Sequence, residues 1–466
     1  MRTTGRLVLC ALAGALLYGC GGEGGGATEP PKPPVPAPVE LPTDPQQLLD
    51  DAQLVPEADP SPPVVGEAIE GWIRANHHPV RSLTSDNFSD LQFLKPVLAG
   101  RQLVQLGESG HGVREFSLAK VRLIRFLHEE MGFDVVAFES GLLDCWLANE
   151  DIPTAPPMKS VGNCVFGVWH TQEVLRLFEY IQATRSTARP LLLAGLDVQP
   201  SGRKVLERPA FFRDVAARVD PAFARRAYVR DSTLMENSRG SYADTYAYIR
   251  ANRASLLATY DTLATLFEAN RARLDAADPA RPALGRVAHM AARSTYLYTL
   301  NVVEPLPHEI RDRGMADNMT FLLRDMYPDK KIVVWAHNAH IRHAGERTVY
   351  HPENMMGSVV AERHRPELYT IGFYMYRGVS ADNTRKGVRV TQPFGGSLEG
   401  ILYHTRRRWA FVDLLGQTPG LGRDWMFNEI TAKEWGVVSY RMSPRQQYDG
   451  IFWVHDVNVP EYLPPL

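Results

Sequence analysis

Gly107-Glu108-Ser109-Gly110-His111-Gly112-Val113-Arg114-Glu115 follows an apolar run at 102–106, and Trp335-Ala336-His337-Asn338-Ala339-His340 closes another at 332–336. Short continuous apolar runs read as strands buried on both faces, the habit of parallel sheets. Further runs at 135–138, 191–196, 369–373 and 409–412 read the same way. The spacing predicts a helix over 116–131. Phe116, Ala119, Leu123, Phe126 and Leu127 share one side, Lys120, Arg122, Glu129 and Glu130 lie away from it, and Gly132 is placed to cap the end. Strand, loop, helix and strand within about 40 residues make a βαβ unit. The fold class is therefore α/β, a mostly parallel central sheet flanked by helices.

Between about 201 and 300 the pattern changes to Ala, Arg and Leu with few β-branched runs. Segments 211–219, 243–260 and 284–298 predict a helical insertion of three or four helices. It acts either as a lid over one end of the sheet or as a structural bundle. Segments 437–442 and 451–454 read as two more strands, with Asp449-Gly450 as a turn before the last. His455-Asp456 follows that strand; its rim is unassigned and it is left outside the site.

The chain has 466 residues, 44% apolar and 22% charged, with net charge −2. That suffices for a large core, and no basic field points to nucleic acid. Arg2 and Arg6 precede an apolar stretch at 7–17, too short to span a bilayer at about 20 residues. It reads as a signal peptide covering 1–20. Leu17-Tyr18-Gly19-Cys20 resembles the bacterial lipobox. The resemblance implies lipidation at Cys20 and membrane attachment through acyl chains. With Gly21 rather than Asp next, it implies an outer-membrane lipoprotein of the cell envelope. Residues 21–65, Gly-rich and then Pro-rich, read as a flexible tether, leaving 66–466 as the catalytic body. Cys145 and Cys164 remain, either as a disulfide suited to an oxidising compartment or as separate buried thiols.

Four strands end on groups that carry or move protons: Glu108, Glu139, Asp197 and His337. If the strands are parallel, these groups share the carboxyl rim, where open α/β sheets bind ligands. His111 precedes a helix, whose positive end favours the neutral ring that a general base needs. Glu108 can orient that ring. Arg114 can hold a carboxylate or an oxyanion, and Glu115 is expected to cap the helix. His337 and His340 are three apart, and either can enter the cleft. Three chemistries compete. Glu108, His111, Glu139, His337 and His340 could ligate zinc, but no HExxH or Cys pair is present. Ser109 narrowly misses a nucleophile elbow, because His111 stands where the second Gly belongs. Water activated by a base uses every residue, with no metal and no cofactor.

At these residues the chain resembles the erythromycin esterase family. The matching pieces are Gly107–Gly112 with Arg114-Glu115-Phe116, Phe138-Glu139, Gly195–Gln199, Arg311-Asp312 with Met315–Asn318, and Ala336–His340. The resemblance implies an α/β core with a helical part and a cleft between. It also implies metal-free hydrolysis, of a macrolide lactone in characterised members, which inactivates the antibiotic. It makes His111 the base, with Glu108, Arg114, Glu139, His337 and His340 lining the site. Asp197, Arg311 and Ser109 are expected on the substrate side. The expected function is thus hydrolysis of a small ester or lactone. A metal-dependent hydrolase and a non-catalytic envelope binding protein are the alternatives.

Overall fold

The parallel expectation holds for five of the six apolar runs, and the last strand of the chain joins them. In a computed structural model describing residues 59, 61–238, 242–304, 307–344 and 355–465, the strands are β1 (His78–Pro79), β2 (Leu103–Leu106), β3 (Phe133–Gly141), β4 (Leu192–Asp197), β5 (Lys331–Trp335), β6 (Leu368–Ala381), β7 (Gly387–Arg389), β8 (Trp409–Asp413), β9 (Ile430–Glu434), β10 (Val438–Met442) and β11 (Gly450–Val457). Nine form one sheet in the order β1-β8-β11-β6-β2-β5-β3-β4, with β7 on β6; β9 and β10 pair separately. From β11 to β4 every pairing is parallel. The ends of β2, β3, β4 and β5 therefore share one rim. One expectation fails: β8, read among the parallel runs, is antiparallel to β11. An apolar run buried on both faces carries no sign of its direction.

The helix Arg114–Met131 connects β2 to β3 and ends at Gly132, whose φ of 76° is the left-handed conformation of a helix stop. Its polar side is solvated as the periodicity predicts only at Glu129 and Glu130. Lys120 and Arg122 are buried, because chain segment 82–90 covers Arg122 and pairs it with Asp90 at 2.6 Å. Glu115 does not cap this helix; its carboxyl accepts from the backbone and side chain of Asn458.

Between β4 and residue 301 there are six α-helices among the described residues, against the three or four expected: Arg208–Ala217, Pro221–Asn237, Tyr242–Ala251, Arg253–Ala269, Arg271–Ala276 and Leu284–Asn301. The stretch 243–260 breaks at Asn252. Pro221–Asn237 was not anticipated, although Asp220-Pro221 is a cap followed by the favoured first residue. Phe211, Phe212, Leu263, Phe267 and Val287 share one apolar cluster with Leu142, Trp146, Ala194 and Leu196 of the sheet side. The insertion is thus part of the main core.

Cys145 and Cys164 are disulfide-bonded, joining helices Leu142–Asp151 and Pro157–Cys164. The signal segment, Cys20 and most of the tether lie outside the described residues. The tether's last residues already lie on the body: Pro63 O accepts from His404 Nε2 at 2.9 Å and Ser61 O from Gln392 Nε2 at 2.7 Å. Among the described residues no helix is long and apolar enough to cross a membrane.

Candidate active site

Glu108 leaves the end of β2 fully buried and receives three donors. His111 Nδ1 stands 2.6 Å from Oε1, Trp169 Nε1 2.9 Å from Oε1, and Lys120 Nζ 2.5 Å from Oε2. The short carboxylate contact assigns the His111 proton to Nδ1. No hydrogen bond engages its Nε2 among the described residues. Loop 107–112 is held tightly against its neighbours. A methyl at Gly107 would stand 2.0 Å from Asn338 Oδ1, and one at Gly112 2.3 Å from the carbonyl of Ala381. Lys120 reaches this position because the first turns of its helix are buried. Burial pushes its ammonium down to about 8, against the pull of Glu108.

A second network lies beside the first. Glu139 at the end of β3 accepts from Arg311 Nη2 at 2.8 Å and from the backbone N–H of His337 at 2.8 Å. Arg311 also holds Asp197 at the end of β4, at 2.5 Å. His340 sets Nδ1 2.7 Å from Asp312 and Nε2 3.2 Å from Glu139. Burial opposes charge on His340, but Asp312 and Glu139 outweigh it and raise the ring to about 10. The imidazolium then donates from both nitrogens, and the 3.3 Å approach of Arg311 Nη1 is not a hydrogen bond in that state.

His337 differs. Its Nδ1 accepts from Ala339 N–H at 3.1 Å, capping the short turn Asn338–Ile341. Burial holds it well below its ordinary value. A neutral ring with Nδ1 accepting carries its proton on Nε2. The His337 and His111 ring centroids are 4.9 Å apart.

The sequence expectations thus separate. Glu108, His111, Glu139, His337, His340, Asp197 and Arg311 come together at one rim. Arg114 does not join them: its guanidinium sits 3.2 Å from Glu173 and its backbone N–H meets Asn458. Ser109 is fully buried, and its hydroxyl has no hydrogen-bond partner among the described residues, so no base activates it. No group of three His, Cys, Asp or Glu side chains is arranged to hold a metal ion among the described residues. The sequence reading missed Trp169, Lys120, Arg342, Glu434 and Trp435. The last two arrive on the β9–β10 hairpin, whose tip lies over the histidines. The Trp435 ring stacks on His337 at 5.2 Å and meets His111 edge-on at 5.2 Å. The cover on the two histidines includes this hairpin and Trp169, and Tyr246 of the insertion lies within electrostatic reach of Arg311.

A mixed α/β fold with Glu-, His- and Arg-rich networks at the carboxyl rim of its sheet defines a class built around a strand-end cleft. The sequence profile of the erythromycin esterase family matches residues 128–457, and the chain belongs to that family. The profile begins after the Gly107–Glu115 loop. A Bacillus subtilis protein named "Putative hydrolase YbfO" is 32% identical over 412 residues, covering 83% of this chain and 90% of its own. Erythromycin esterase type II of Escherichia coli is 22% identical over 296 residues, 59% of this chain and 68% of its own. A mutant of the erythromycin esterase EreC, solved in its open conformation, shares the fold with a TM-score of 0.61 at 19% identity, covering 81% of this chain and 96% of its own. The family and these relatives are named for hydrolases, and the chain is a hydrolase.

Proposed function

We propose that the protein hydrolyses a carboxylic ester or lactone with water activated at His111. The observation that carries this is the divided role of the His111 ring: Nδ1 is fixed on Glu108 at 2.6 Å, while among the described residues Nε2 has no hydrogen-bond partner. That is the arrangement of an oriented general base. Nε2 takes a proton from water, hydroxide adds to the acyl carbon, and Glu108 faces the imidazolium that forms. The neutral His337 offers an Nε2–H to the oxyanion; both nitrogens of His340 are already committed, so His340 and Arg311 hold Glu139 in place instead. Arg114, engaged with Glu173, drops out of the oxyanion role given to it by sequence.

The substrate side is a small ester or lactone, with macrolide lactones included because two relatives are named as erythromycin esterases. The lipobox at Cys20 and the tether support an envelope lipoprotein. The test is a hydrolysis panel of 4-nitrophenyl butyrate, ethyl butyrate, a simple lactone and erythromycin, read by acid release and mass spectrometry. Turnover of at least one that is lost in His111→Ala supports the reading. Tight binding of one with turnover of none turns the assignment to a binding protein.

A further inference from the structure

We infer that Glu434 is a further catalytic residue, the acid that protonates the departing alkoxide when the ester is cleaved. The inference rests on the hydrolytic reading above and deepens it.

Glu434 ends β9 and is fully enclosed beside His337. Among the described residues neither carboxyl oxygen receives a hydrogen bond, although Oε2 lies 3.2 Å from His337 Nε2 and Oε1 3.2 Å from Arg342. His337 Nε2 is likewise without a hydrogen-bond partner among the described residues. Two buried polar groups that face each other without alignment each keep hydrogen-bonding capacity unused, which a reacting molecule can take up. The tip is held there deliberately. Trp435 and Gly436 are both left-handed, at φ 58° and 70°. A bulky aromatic residue in that conformation is strained, and such strain gathers at functional sites. The backbone N–H of Trp435 donates to Ser109 O, and a methyl at Gly110 would stand 3.2 Å from the Trp435 ring. The active-site loop and the hairpin tip are thereby locked to one another.

Charge points the same way. Glu108, Glu139, Asp197 and Asp312 are held by Lys120, Arg311 and His340 at 2.5–2.8 Å, whereas Glu434 has only the looser 3.2 Å approaches of Arg342 and His337. Burial raises its carboxyl to about 7, while Arg342, His340 and His111 pull against the shift. The other groups around it are Lys433, the equally buried Glu399, and the hydroxyls of Tyr374, Tyr440 and Tyr448, whose own ionisation lies far above neutral. A carboxylic acid that still holds its proton near neutrality suits a general acid.

The step balances. His111 Nε2 removes a proton from water and the hydroxide oxygen bonds to the acyl carbon. The tetrahedral oxyanion faces His337 Nε2–H. The bond from carbon to the alkoxy oxygen breaks, that oxygen takes the Glu434 proton, and an alcohol leaves. The His111 imidazolium returns its proton to Glu434, and the product acid releases one to solvent.

The experiment compares leaving groups in Glu434→Gln. A strongly basic alkoxide needs a proton to depart; 4-nitrophenolate does not. Loss of a general acid should lower kcat/KM for ethyl butyrate or erythromycin by roughly 10²–10³ and for 4-nitrophenyl butyrate by less than about threefold. The alkaline limb near pH 7 should vanish for the alkyl substrates. Equal losses on both leaving groups, or no loss on the alkyl ones, overturn the inference. His111→Ala must suppress both. Wild-type protein that turns over no ester refutes the parent reading and this one with it. Alkyl turnover unchanged in Glu434→Gln refutes this one alone. Wild-type-minus-variant infrared spectra at pH 6 give a readout without turnover; they must contain a protonated carboxyl band, and its absence overturns the inference even if the variant is inactive.

Discussion

Replacing Glu108 by Gln tests the first network in two independent ways. The carboxylate takes three donors inside a space closed to water. Gln offers one acceptor oxygen and one NH₂. With the oxygen kept on His111 and Trp169, the NH₂ confronts the Lys120 ammonium, and a buried cation loses its partner. Removing one member of a buried pair costs about 3–5 kcal/mol. For a body of roughly 400 residues the unfolding entropy is about 0.8 kcal/mol per degree, so Tm should fall by about 4–6 °C. Lys120 modulates that figure. Its ammonium is already down to about 8 by burial, with Glu108 the group that holds it up. Without Glu108 it sheds its proton at lower pH. A Lys whose folded value is depressed destabilises where it must be charged, so the loss should be largest near pH 6 and smaller near pH 8.5. Glu108→Gln/Lys120→Met should recover most of the Tm without recovering activity. The rate should drop roughly 10²–10⁴-fold, because His111 loses the group that fixes its proton. Thermal scans at the two pH values and hydrolysis of 4-nitrophenyl butyrate measure both. A Tm within 1 °C of wild type at pH 6, or a rate within threefold, would refute the reasoning.

Cys145→Ser/Cys164→Ser should lose about 3 kcal/mol on the chain-entropy account of a loop of this length, or roughly 4 °C in Tm, and reductant should then have no further effect. Glu399 is raised to about 7 by burial; an acid raised in the folded state stabilises only below its unfolded value and loses that contribution as pH climbs through about 7. Tm should therefore decline from about pH 5 to 8, and Glu399→Gln, which keeps the bond to Lys433 N–H, should flatten the decline. Gly112→Ala places a methyl against the Ala381 carbonyl at 2.3 Å, so the loop must shift. Activity should fall more than tenfold while Tm moves by only a few degrees, as thermal scans and hydrolysis rates will report.

What the sequence displays is the rim. A buried strand has few ways to end on Glu, Asp or His, and four such ends in a parallel sheet converge whatever the rest of the fold does. Arg311 entered through family resemblance rather than pattern, since the ends of β3 and β4 say nothing about what will pair with them. Lys120 was hidden because periodicity sorts residues by polarity, and a lysine paired in the core looks like one in water. Arg114 misled for the opposite reason: adjacency in sequence to His111 suggested a shared role, while the first helical turn aims its side chain at Glu173. The hairpin was hardest to see. Lys433 and Glu434 interrupt the apolar alternation of β9, and Trp435 occupies a left-handed turn position where Asn or Gly would have been the signal.

The central claim is that His111 Nε2 activates water. Its most direct measurement is kcat/KM for His111→Ala on whichever panel substrate the wild type hydrolyses, together with the Tm of the variant. The account predicts a loss of at least 10²–10⁴-fold with the fold retained. A folded His111→Ala protein that keeps hydrolysis within tenfold of wild type would contradict it.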